Sequence, residues 1–444
     1  MKRIEASFVV FAFLFYTGAI TILINGGTFL GGTTKDPISK VSIYLIQLVT
    51  LFLVIAHHKK IIPIVAKEKL LWILIVIALL SVLWSKQLIA TLADCQNLVR
   101  VTLFGVYLAT RFSMKEQLQL LAWALGIGAL LSLVFALVVP SYGVMGMGSI
   151  VTLEDISHAG AWRGVYGHKN VLGRLMVLGA VVLLVAANFS GRYRWVAWAG
   201  FLITIILIVK STSKTALITV MTILILLPIY RFLRWNYTIV IPLLITAVLV
   251  GGGVIVFLVN NAESILLSFG RDPTFTGRTP LWEAVFDKIW EHPWLGYGLG
   301  GFWRGMEGES ADISILLNWE VPHSHNGFLD LWLDLGLIGL LAFVFSFLSV
   351  LIRAISWIHE TKTAEGLWPL AYLTFLLMAN LTESSIMRQS IIIIIYVVVT
   401  LSMYPNRNEP DESQTLVCQK SRRGAIKQAK TRKKTQAKIK GKIK

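Results

Sequence analysis

Long apolar segments recur along most of the chain and are separated by short polar stretches. A helix that crosses a bilayer needs about 20 predominantly apolar residues. Twelve segments approach this pattern, at residues 8–25, 41–57, 70–84, 94–110, 118–139, 169–189, 195–209, 215–231, 237–259, 326–352, 366–383 and 389–404. The pattern predicts an all-α polytopic membrane protein whose helical bundle occupies residues 1–405. No small-residue cleavage site follows the first segment, so we expect it to be a retained helix rather than a signal peptide.

Basic residues between these segments predict which side of the membrane each loop faces. Short cytoplasmic loops carry an excess of Lys and Arg. If the N-terminus lies inside, every inside loop is positively charged, as Arg192, Arg194 and Arg353 illustrate. This arrangement places both termini in the cytoplasm and predicts two long loops on the outer side, at 140–168 and 260–325.

The composition agrees with a membrane protein and excludes several other classes. Of the 444 residues, 56% are hydrophobic and 15% are charged, whereas soluble proteins carry about 25% charged residues. This balance excludes a single soluble domain and a disordered chain. The two cysteines, Cys95 and Cys418, lie in a predicted span and in the C-terminal tail, so they predict neither a disulfide framework nor a Cys-based zinc site.

The formal charge of +17 comes mostly from the C-terminal tail. Residues 420–444 contain twelve Lys or Arg and no acid, which leaves 29 basic against 24 acidic residues elsewhere. The charge therefore does not indicate a nucleic-acid-binding core, and we expect no nucleic-acid partner. We predict that residues 406–444 form a cytoplasmic tail, either a disordered solvated extension or a segment that binds anionic membrane lipids.

Few basic residues are predicted on the outer face, and they indicate the chemical class of ligand that the protein binds. They are Arg163, His168, Lys169, Arg174, Lys210, Lys214, Arg271, Arg278, Arg304 and Arg388. Guanidinium groups match phosphate oxygens, and a helical bundle adds an apolar flank, so this set suits a lipid that carries a diphosphate. Arg174 and Lys214 lie near predicted helix ends, where we expect each to face a wet cavity or a partner. The alternative is a side chain that extends to the membrane interface.

The large loop has a helical pattern of its own. Thr279 and Pro280 suit the start of a helix, apolar residues recur at helical spacing from Leu281 to Trp290, and Pro293 ends the pattern. This predicts an amphipathic helix against the membrane surface or the mouth of the bundle. Its Trp282 could stack on a sugar; the alternative is a place in the interfacial aromatic belt.

The strongest candidate for chemistry is the segment from His323 to Gly327, where the large loop returns to the membrane. A histidine there could act as a general base or orient a hydroxyl nucleophile. A metal site and a purely structural histidine pair are the alternatives, but no third ligand with suitable spacing accompanies the pair. Glu383 ends a later span on the same predicted side, where it could pair with a cation or serve as an interface acid.

Three motifs resemble the bacterial O-antigen ligase and polysaccharide polymerase family, most closely its exopolysaccharide-polymerase branch. The first is residues 163–170, the second is 277–282 followed by 293–298, and the third is 323–326 followed by 335–340. The resemblance covers residues 160–345, whereas the first five spans and the tail resemble membrane helices in general.

The resemblance implies a GT-C-like, metal-independent glycosyltransferase of the bacterial inner membrane that needs no cofactor. Its donor is a glycan on undecaprenyl diphosphate, which the enzyme polymerises into exopolysaccharide at the periplasmic face. Its partners would include membrane lipids and the chain-length regulator or export proteins of the same pathway.

The resemblance also implies roles for individual residues. His325 matches the catalytic histidine with His323 as runner-up, and Arg278 matches an arginine that contacts the diphosphate. Lys214 stands where the family more often has Arg, and lysine cannot form a bidentate fork, so Arg163 is expected to share the phosphate. The residues expected to contact the acceptor or sugar are Trp282, Asn326 and Glu383.

Three other functions compete with polymerisation. A ligase that joins finished glycan to lipid A-core or to protein would show the same motifs. A secondary transporter of an anionic substrate would need two related halves with paired broken helices, and the sequence has neither. A scaffold recruited through its basic tail would leave the outer motifs unexplained.

Overall fold

The computed structural model describes residues 2–20, 37–148, 153–234, 278–388 and 390–404, and every regular element in these ranges is a helix. The α-helices are α1 (Lys2–Tyr16), α2 (Pro37–Ala56), α3 (His58–Val65), α4 (Lys69–Leu80), α5 (Leu88–Arg111), α6 (Met114–Val138), α7 (Pro140–Gly143), α8 (Leu153–Ser157), α9 (Lys169–Ala187), α10 (Arg194–Lys210), α11 (Lys214–Phe232), α12 (Arg278–Glu291), α13 (Ala311–Leu317), α14 (Gly327–Glu360), α15 (Trp368–Thr382) and α16 (Ser390–Ser402). The chain up to Met403 forms one compact unit.

Six of these helices are long and apolar enough to cross a bilayer: α2, α6, α9, α10 with its preceding 3₁₀ turn, α11 and α14. Helices α4 and α16 are shorter but also apolar. The described residues are therefore those of a multi-pass membrane protein whose regular elements are helices. The predicted span at 237–259, the loop residues 260–277 and the tail at 406–444 lie outside the described residues, and the count of twelve spans stays a prediction.

Two helices extend beyond their predicted apolar segments because charged residues at their ends have partners inside the bundle. Helix α1 begins at Lys2 rather than residue 8, and Glu5 accepts hydrogen bonds from Arg111 at 2.6 and 3.0 Å. Helix α14 continues past residue 352, where Arg353 forms an ion pair with the buried Glu68. Paired charges allow a helix to continue where hydropathy alone predicts its end.

Helix α9 lies at the centre of the bundle. In its most apolar stretch of 18 residues, 83% of the residues are buried, whereas the values for the same stretches of α2 and α10 are 17% and 22%. It packs against α6, α10, α11 and α15. The exposed apolar side chains of the outer helices are those expected at a surface that contacts lipid tails. Residues at the N-terminal end of α9 are therefore surrounded by several other helices.

Helix α14 is interrupted near its start, and the glycine-rich segment of the large loop, residues 296–301, packs against the interrupted turn. Gly336 has a φ of +66°, which breaks the helical hydrogen-bond pattern. The carbonyl groups of Leu333 and Asp334 instead accept hydrogen bonds from the N–H groups of Tyr297 and Gly298, at 2.8 and 2.9 Å. The broken turn therefore keeps its backbone groups satisfied, as is required at membrane depth.

The predicted amphipathic helix of the large loop is confirmed as α12. Leu281, Val285 and Ile289 are buried in a small hydrophobic cluster of the loop, which also includes Leu329 and Leu333 of α14. Helix α12 thus packs against the start of α14, which agrees with the predicted position at the mouth of the bundle. Packing of the loop against α14 fixes the segment that carries the two candidate histidines.

Candidate active site

The two histidines lie in the turn that leads into α14. Asn326 caps this helix, and its side-chain oxygen accepts hydrogen bonds from the N–H groups of Phe328 and Leu329 at 3.0 and 3.3 Å. Asn is a favoured residue at this position. His325 has a φ of +54°, an uncommon conformation for a residue with a side chain. The turn therefore has a defined and strained shape.

Side chains of neighbouring elements hold this turn from two sides. The carboxylate oxygen Oδ1 of Asp330 accepts hydrogen bonds from the N–H of Ser324 at 3.1 Å and from the indole N–H of Trp303 at 2.8 Å. The indole N–H of Trp282 donates to the carbonyl oxygen of Ser324 at 2.9 Å. Trp282, predicted to contact sugar, thus supports the backbone between the two histidines.

Glu383 reaches the histidines from the end of α15. The neighbouring loop is shaped by the buried Asn380, whose side-chain oxygen accepts hydrogen bonds from the N–H groups of Ser385 and Ile386 at 2.8 and 2.9 Å. A Cβ atom at Gly327 would lie 2.2 Å from the same oxygen. Only glycine therefore allows the start of α14 to approach this loop so closely.

His323, His325 and Glu383 form one compact cluster. The Glu383 oxygen Oε2 lies 3.8 Å from Nε2 of His323 and 3.9 Å from Nδ1 of His325. The two imidazole rings are 4.2 Å apart at their centroids. The other carboxylate oxygen, Oε1, accepts a hydrogen bond from the Asn170 side chain at 2.8 Å. The cluster thus joins the first and third sequence motifs.

The hydrogen bonds indicate different protonation for the two imidazoles. Nδ1 of His323 accepts the N–H of His325 at 3.1 Å, so the neutral His323 ring carries its proton on Nε2, which faces Glu383. Burial, followed by the nearby His325, lowers the pKa of His323 to about 3. In His325, a proton on Nδ1 is favoured by the Glu383 carboxylate, and this leaves Nε2 able to accept a proton.

The same three residues could in principle hold a divalent metal ion. One ligand atom from each of His323, His325 and Glu383 lies within 4.8 Å of the others. However, coordination through Nε2 of His323 would require the proton to move to Nδ1, and the hydrogen bond from the His325 N–H would then be lost. The observed hydrogen bond therefore favours an acid–base cluster over a metal site.

A partly open cleft lies beside Glu383, between α9, α11 and α15. Its polar lining comes from Asn170 and Arg174 of α9 and from Ser213 and Thr215 at the start of α11. Phe375 and Ala379 of α15 supply an apolar side. The cleft therefore combines a cation, hydroxyl groups and an apolar wall next to the imidazole–carboxylate cluster.

The predicted diphosphate ligands lie in different surroundings. Lys214 is the exposed first residue of α11, between two lining residues of this cleft. Arg163 is buried and donates to the Asp155 carboxylate at 3.0 Å and to the Tyr142 carbonyl oxygen at 2.8 Å. Its guanidinium is thus engaged within its own loop. Arg278 begins α12, and its side chain lies outside what the structure describes.

Comparison with known proteins agrees with the motifs. Residues 199–344 match the O-antigen ligase family. The chain is also 28% identical over 189 residues to the exopolysaccharide production protein ExoQ of Rhizobium meliloti (strain 1021), a match that covers 40% of this chain and 43% of that relative. The resemblance noted in the sequence is therefore confirmed.

The matched region contains part of the cluster. Lys214, Arg278, His323 and His325 lie within residues 199–344, whereas Glu383 lies beyond it. The chain spans less than half the length of the relative that it matches.

Sequence reasoning did not assign roles to several residues that shape this site. The sequence alone assigns no role to Asp330 or Asn170, and it predicts Arg174 only as an outer cation. The available signal was a charged or amide side chain at membrane depth, which is costly unless it has a partner. Which partner each residue meets depends on helix packing, which a single sequence does not encode locally.

Proposed function

We propose that this protein is an inner-membrane glycosyltransferase that polymerises undecaprenyl-diphosphate-linked oligosaccharide repeat units into exopolysaccharide at the periplasmic face. The observation that carries the proposal is the contact of His323 and His325 with the buried Glu383, in and beside the region that matches the O-antigen ligase family. The printed name of the ExoQ relative favours exopolysaccharide as the product.

The cluster has the composition required to activate a hydroxyl group. Nε2 of His325 takes the proton of an acceptor sugar hydroxyl while that oxygen attacks the anomeric carbon of the donor sugar. The bond between the anomeric carbon and the diphosphate oxygen breaks, and the electron pair leaves with the lipid diphosphate. Glu383, whose Oε2 lies 3.9 Å from Nδ1 of His325, stabilises the imidazolium that forms.

His325 is favoured over His323 as the base. His323 is a poor proton acceptor near neutral pH because its pKa is about 3, and its Nδ1 already accepts a backbone N–H. We therefore assign His323 the role of a positioning residue that fixes the orientation of His325 and Glu383. Asn326 serves as a helix cap, and Trp282 supports the loop.

Positive groups are needed where charge develops on the leaving diphosphate. Arg278 and Lys214 are the candidates from the family resemblance, and Arg278 begins a helix that packs against the same loop. Membrane lipids and the chain-length regulator or export proteins of the pathway remain proposed partners. A ligase that transfers glycan to lipid A-core or protein would use the same cluster with a different acceptor.

The decisive experiment uses purified full-length protein and lipid-linked repeat unit as the sole substrate. A ladder of products on a gel supports polymerisation. Product that forms only after addition of a second acceptor supports a ligase and contradicts the polymerase proposal. We expect the ladder to persist after treatment with a chelator, and its loss with recovery on adding a divalent ion would contradict the metal-independent mechanism.

Variants test the assigned residues in the same assay. We expect His325→Ala and Arg278→Ala to abolish the ladder without lowering the amount of protein in the membrane, because each removes a group that acts in the transition state. His58→Ala and Arg192→Ala are matched controls, since both residues are exposed and lie in loops predicted to be cytoplasmic. Wild-type chain lengths from either test variant would contradict the assignment.

A further inference from the structure

Arg388 lies between two buried aspartates of α14. It belongs to the short loop between α15 and α16, and its Nε lies 3.7 Å from Oδ2 of Asp330. Its Nη2 lies 3.7 Å from Oδ2 of Asp334. The two aspartates are only 1% and 2% exposed. One guanidinium group therefore faces two carboxylates that are about one helical turn apart.

These three side chains stabilise one another as ion pairs. Two carboxylates buried at membrane depth are costly without a counter-charge. Distances of 3.7 Å are longer than those of direct hydrogen bonds, but opposite charges at this separation attract strongly where the local dielectric constant is low. Among the described residues, Nε and Nη2 of Arg388 and Oδ2 of Asp330 have no hydrogen-bond partner. The place of Arg388 therefore depends on its attraction to the two aspartates.

Asp330 connects Arg388 to the histidine turn. Its Oδ2 faces Arg388, while its Oδ1 accepts the N–H of Ser324 at 3.1 Å. A hydrogen bond to a charged acceptor is stronger than one to a neutral group, and Arg388 supplies the counter-charge that this carboxylate needs inside the bundle. Loss of Arg388 should therefore weaken the hold on the backbone between the two histidines.

The loop that carries Arg388 also carries Glu383, which faces both imidazoles. Glu383 precedes Arg388 by five residues, and His325 precedes Asp330 by five residues. Oε2 of Glu383 lies 3.9 Å from Nδ1 of His325, and Arg388 contacts Asp330 a few residues further along both segments. The loop and the start of α14 thus meet at two points. The second contact limits how far the carboxylate can move from the histidines.

We infer that Arg388 is a positioning residue, whose ion pair with Asp330 sets the distance between Glu383 and the histidine turn. The inference rests on the proposed function for the reaction that this distance serves. It also gives a role to one of the basic residues predicted on the outer face. Arg388 faces carboxylates of its own chain and does not line the cleft beside Glu383.

Hydrogen–deuterium exchange of the purified full-length protein tests the positioning without any substrate. The N–H groups of Ser324, His325 and Asn326 all donate to side chains of the turn or of α14. We expect Arg388→Gln to accelerate exchange in the peptide that contains them by about tenfold, the loss typical of a hydrogen bond to a charged group. Exchange in α9 should stay unchanged. Equal acceleration in α9, or unchanged exchange in the turn, would overturn the inference.

The kinetics of ladder formation distinguish a positioning residue from one that contacts substrate. We expect Arg388→Gln to lower kcat by about tenfold to a hundredfold at unchanged KM, because a displacement of about 1 Å has an effect of this size. Arg388→Lys keeps the charge and should recover part of kcat. A raised KM at unchanged kcat would assign Arg388 to substrate binding and overturn the inference.

Arg100→Gln is the matched control for both measurements. Arg100 is also a partly buried cation, but it donates to Asn97 within its own helix. Its replacement should leave exchange in the histidine turn and kcat unchanged. Effects as large as those of Arg388→Gln would show that loss of any buried cation disturbs the site, and would contradict a specific role of Arg388.

A charge-matched variant keeps the test decisive if Arg388→Gln does not fold. Arg388→Gln combined with Asp334→Asn removes one charge of each sign, so the net charge of the buried cluster is that of the wild type. We expect this protein to fold, to exchange rapidly in the histidine turn and to keep a low kcat, because Asp330 still lacks its partner. Wild-type exchange and kcat would show that Arg388 only balances charge, and would overturn the inference.

These results separate the inference from the proposed function. Exchange in the histidine turn that depends on Arg388, in a protein that makes no ladder from lipid-linked repeat units, would contradict the glycosyltransferase and retain the positioning role. A protein that makes ladders with the same kcat in wild type and Arg388→Gln would contradict the positioning role alone.

Discussion

Both backbone polar groups of Ser324, the residue between the two histidines, are bonded to side chains of neighbouring elements. Its N–H donates to Asp330, and its carbonyl oxygen accepts the Trp282 indole N–H. Groups that act in proton transfer must be held to within fractions of an ångström. The fixed position of Ser324 therefore limits the motion of His323 and His325 relative to Glu383.

The depressed pKa of His323 predicts a pH-dependent stability. With a folded-state pKa of about 3 and an ordinary value of 6.5, this residue binds more protons in the unfolded protein between these two pH values. The free energy of unfolding should therefore fall as the pH decreases below 6.5, by about 2 kcal/mol from this residue between pH 7 and pH 5. Melting temperatures of the detergent-solubilised protein at the two pH values measure the effect.

The matched variant is His323→Asn, whose side-chain oxygen can replace Nδ1 as the acceptor of the His325 N–H. It lacks the titrating ring, so its melting temperature should decrease less between pH 7 and pH 5 than that of the wild type. An equal decrease in both proteins would show that His323 is not held in its neutral form.

At the level of single residues, the sequence identified most of the candidates but not their contacts. His323, His325 and Glu383 were each candidates by residue type and position. Their association was not predicted, because Glu383 follows a different helix, α15, far from the histidines along the chain. Arg163 and Arg174 were both noted as outer cations. Their surroundings differ, because Asp155 binds Arg163, whereas Arg174 lies on the side of α9 that faces α11.

At the level of helices, the interruption of α14 positions the large loop relative to the histidine turn. The N–H of Leu337 donates to the Pro293 carbonyl oxygen at 2.8 Å, across the broken turn. Together with the bonds from Tyr297 and Gly298, this links the loop to α14 about two turns beyond the histidines. A change at the interruption should therefore affect the site through the loop.

We predict that Gly336→Ala strongly destabilises the protein. A Cβ atom there would lie 2.1 Å from the carbonyl carbon and oxygen of Trp294, and the residue has a φ of +66°. Overpacking together with the strained φ should cost about 3 kcal/mol or more. Thermal unfolding and the yield of folded protein in the membrane measure the loss.

Gly126→Ala in α6 is the control for the same chemical change. Among the described residues, no atom outside the helix's own backbone lies within 4 Å of a Cβ at this position, and alanine favours a helix interior over glycine by about 0.5–1 kcal/mol. Its melting temperature should stay the same or rise. A Gly336→Ala protein as stable as Gly126→Ala would contradict the close packing of the loop on α14.

The long apolar helices overlap predicted segments, because an apolar run of suitable length is a strong local signal, whereas the short helices α3, α7, α8 and α13 were not predicted. The α14 interruption was not predicted, since Gly336 lies within an apolar run and nothing local distinguishes it from a packed glycine. The glycine-rich segment at 296–301 donates backbone hydrogen bonds to α14. Its partner could not be named, because that partner is the backbone of a distant helix.

Across the whole molecule, the proposed chemistry requires one orientation in the membrane. Successive helices place the His323–Glu383 cluster at the end of the bundle where α9 and α11 begin, and the loop that carries Arg192 and Arg194 lies at the other end of α9. Basic loops favour the cytoplasm. We therefore predict that the large loop faces the periplasm, where an exported lipid-linked glycan is available.

Cysteine labelling in intact cells tests this orientation. In a Cys95→Ser, Cys418→Ser background, Met306→Cys reports on the large loop and Tyr193→Cys on the loop between α9 and α10; their native side chains are 58% and 48% exposed. A membrane-impermeant maleimide should label Met306→Cys in intact cells and Tyr193→Cys only after permeabilisation. The reverse pattern would place the histidines on the cytoplasmic side, and the proposed glycosyltransferase would then have no substrate at its active site.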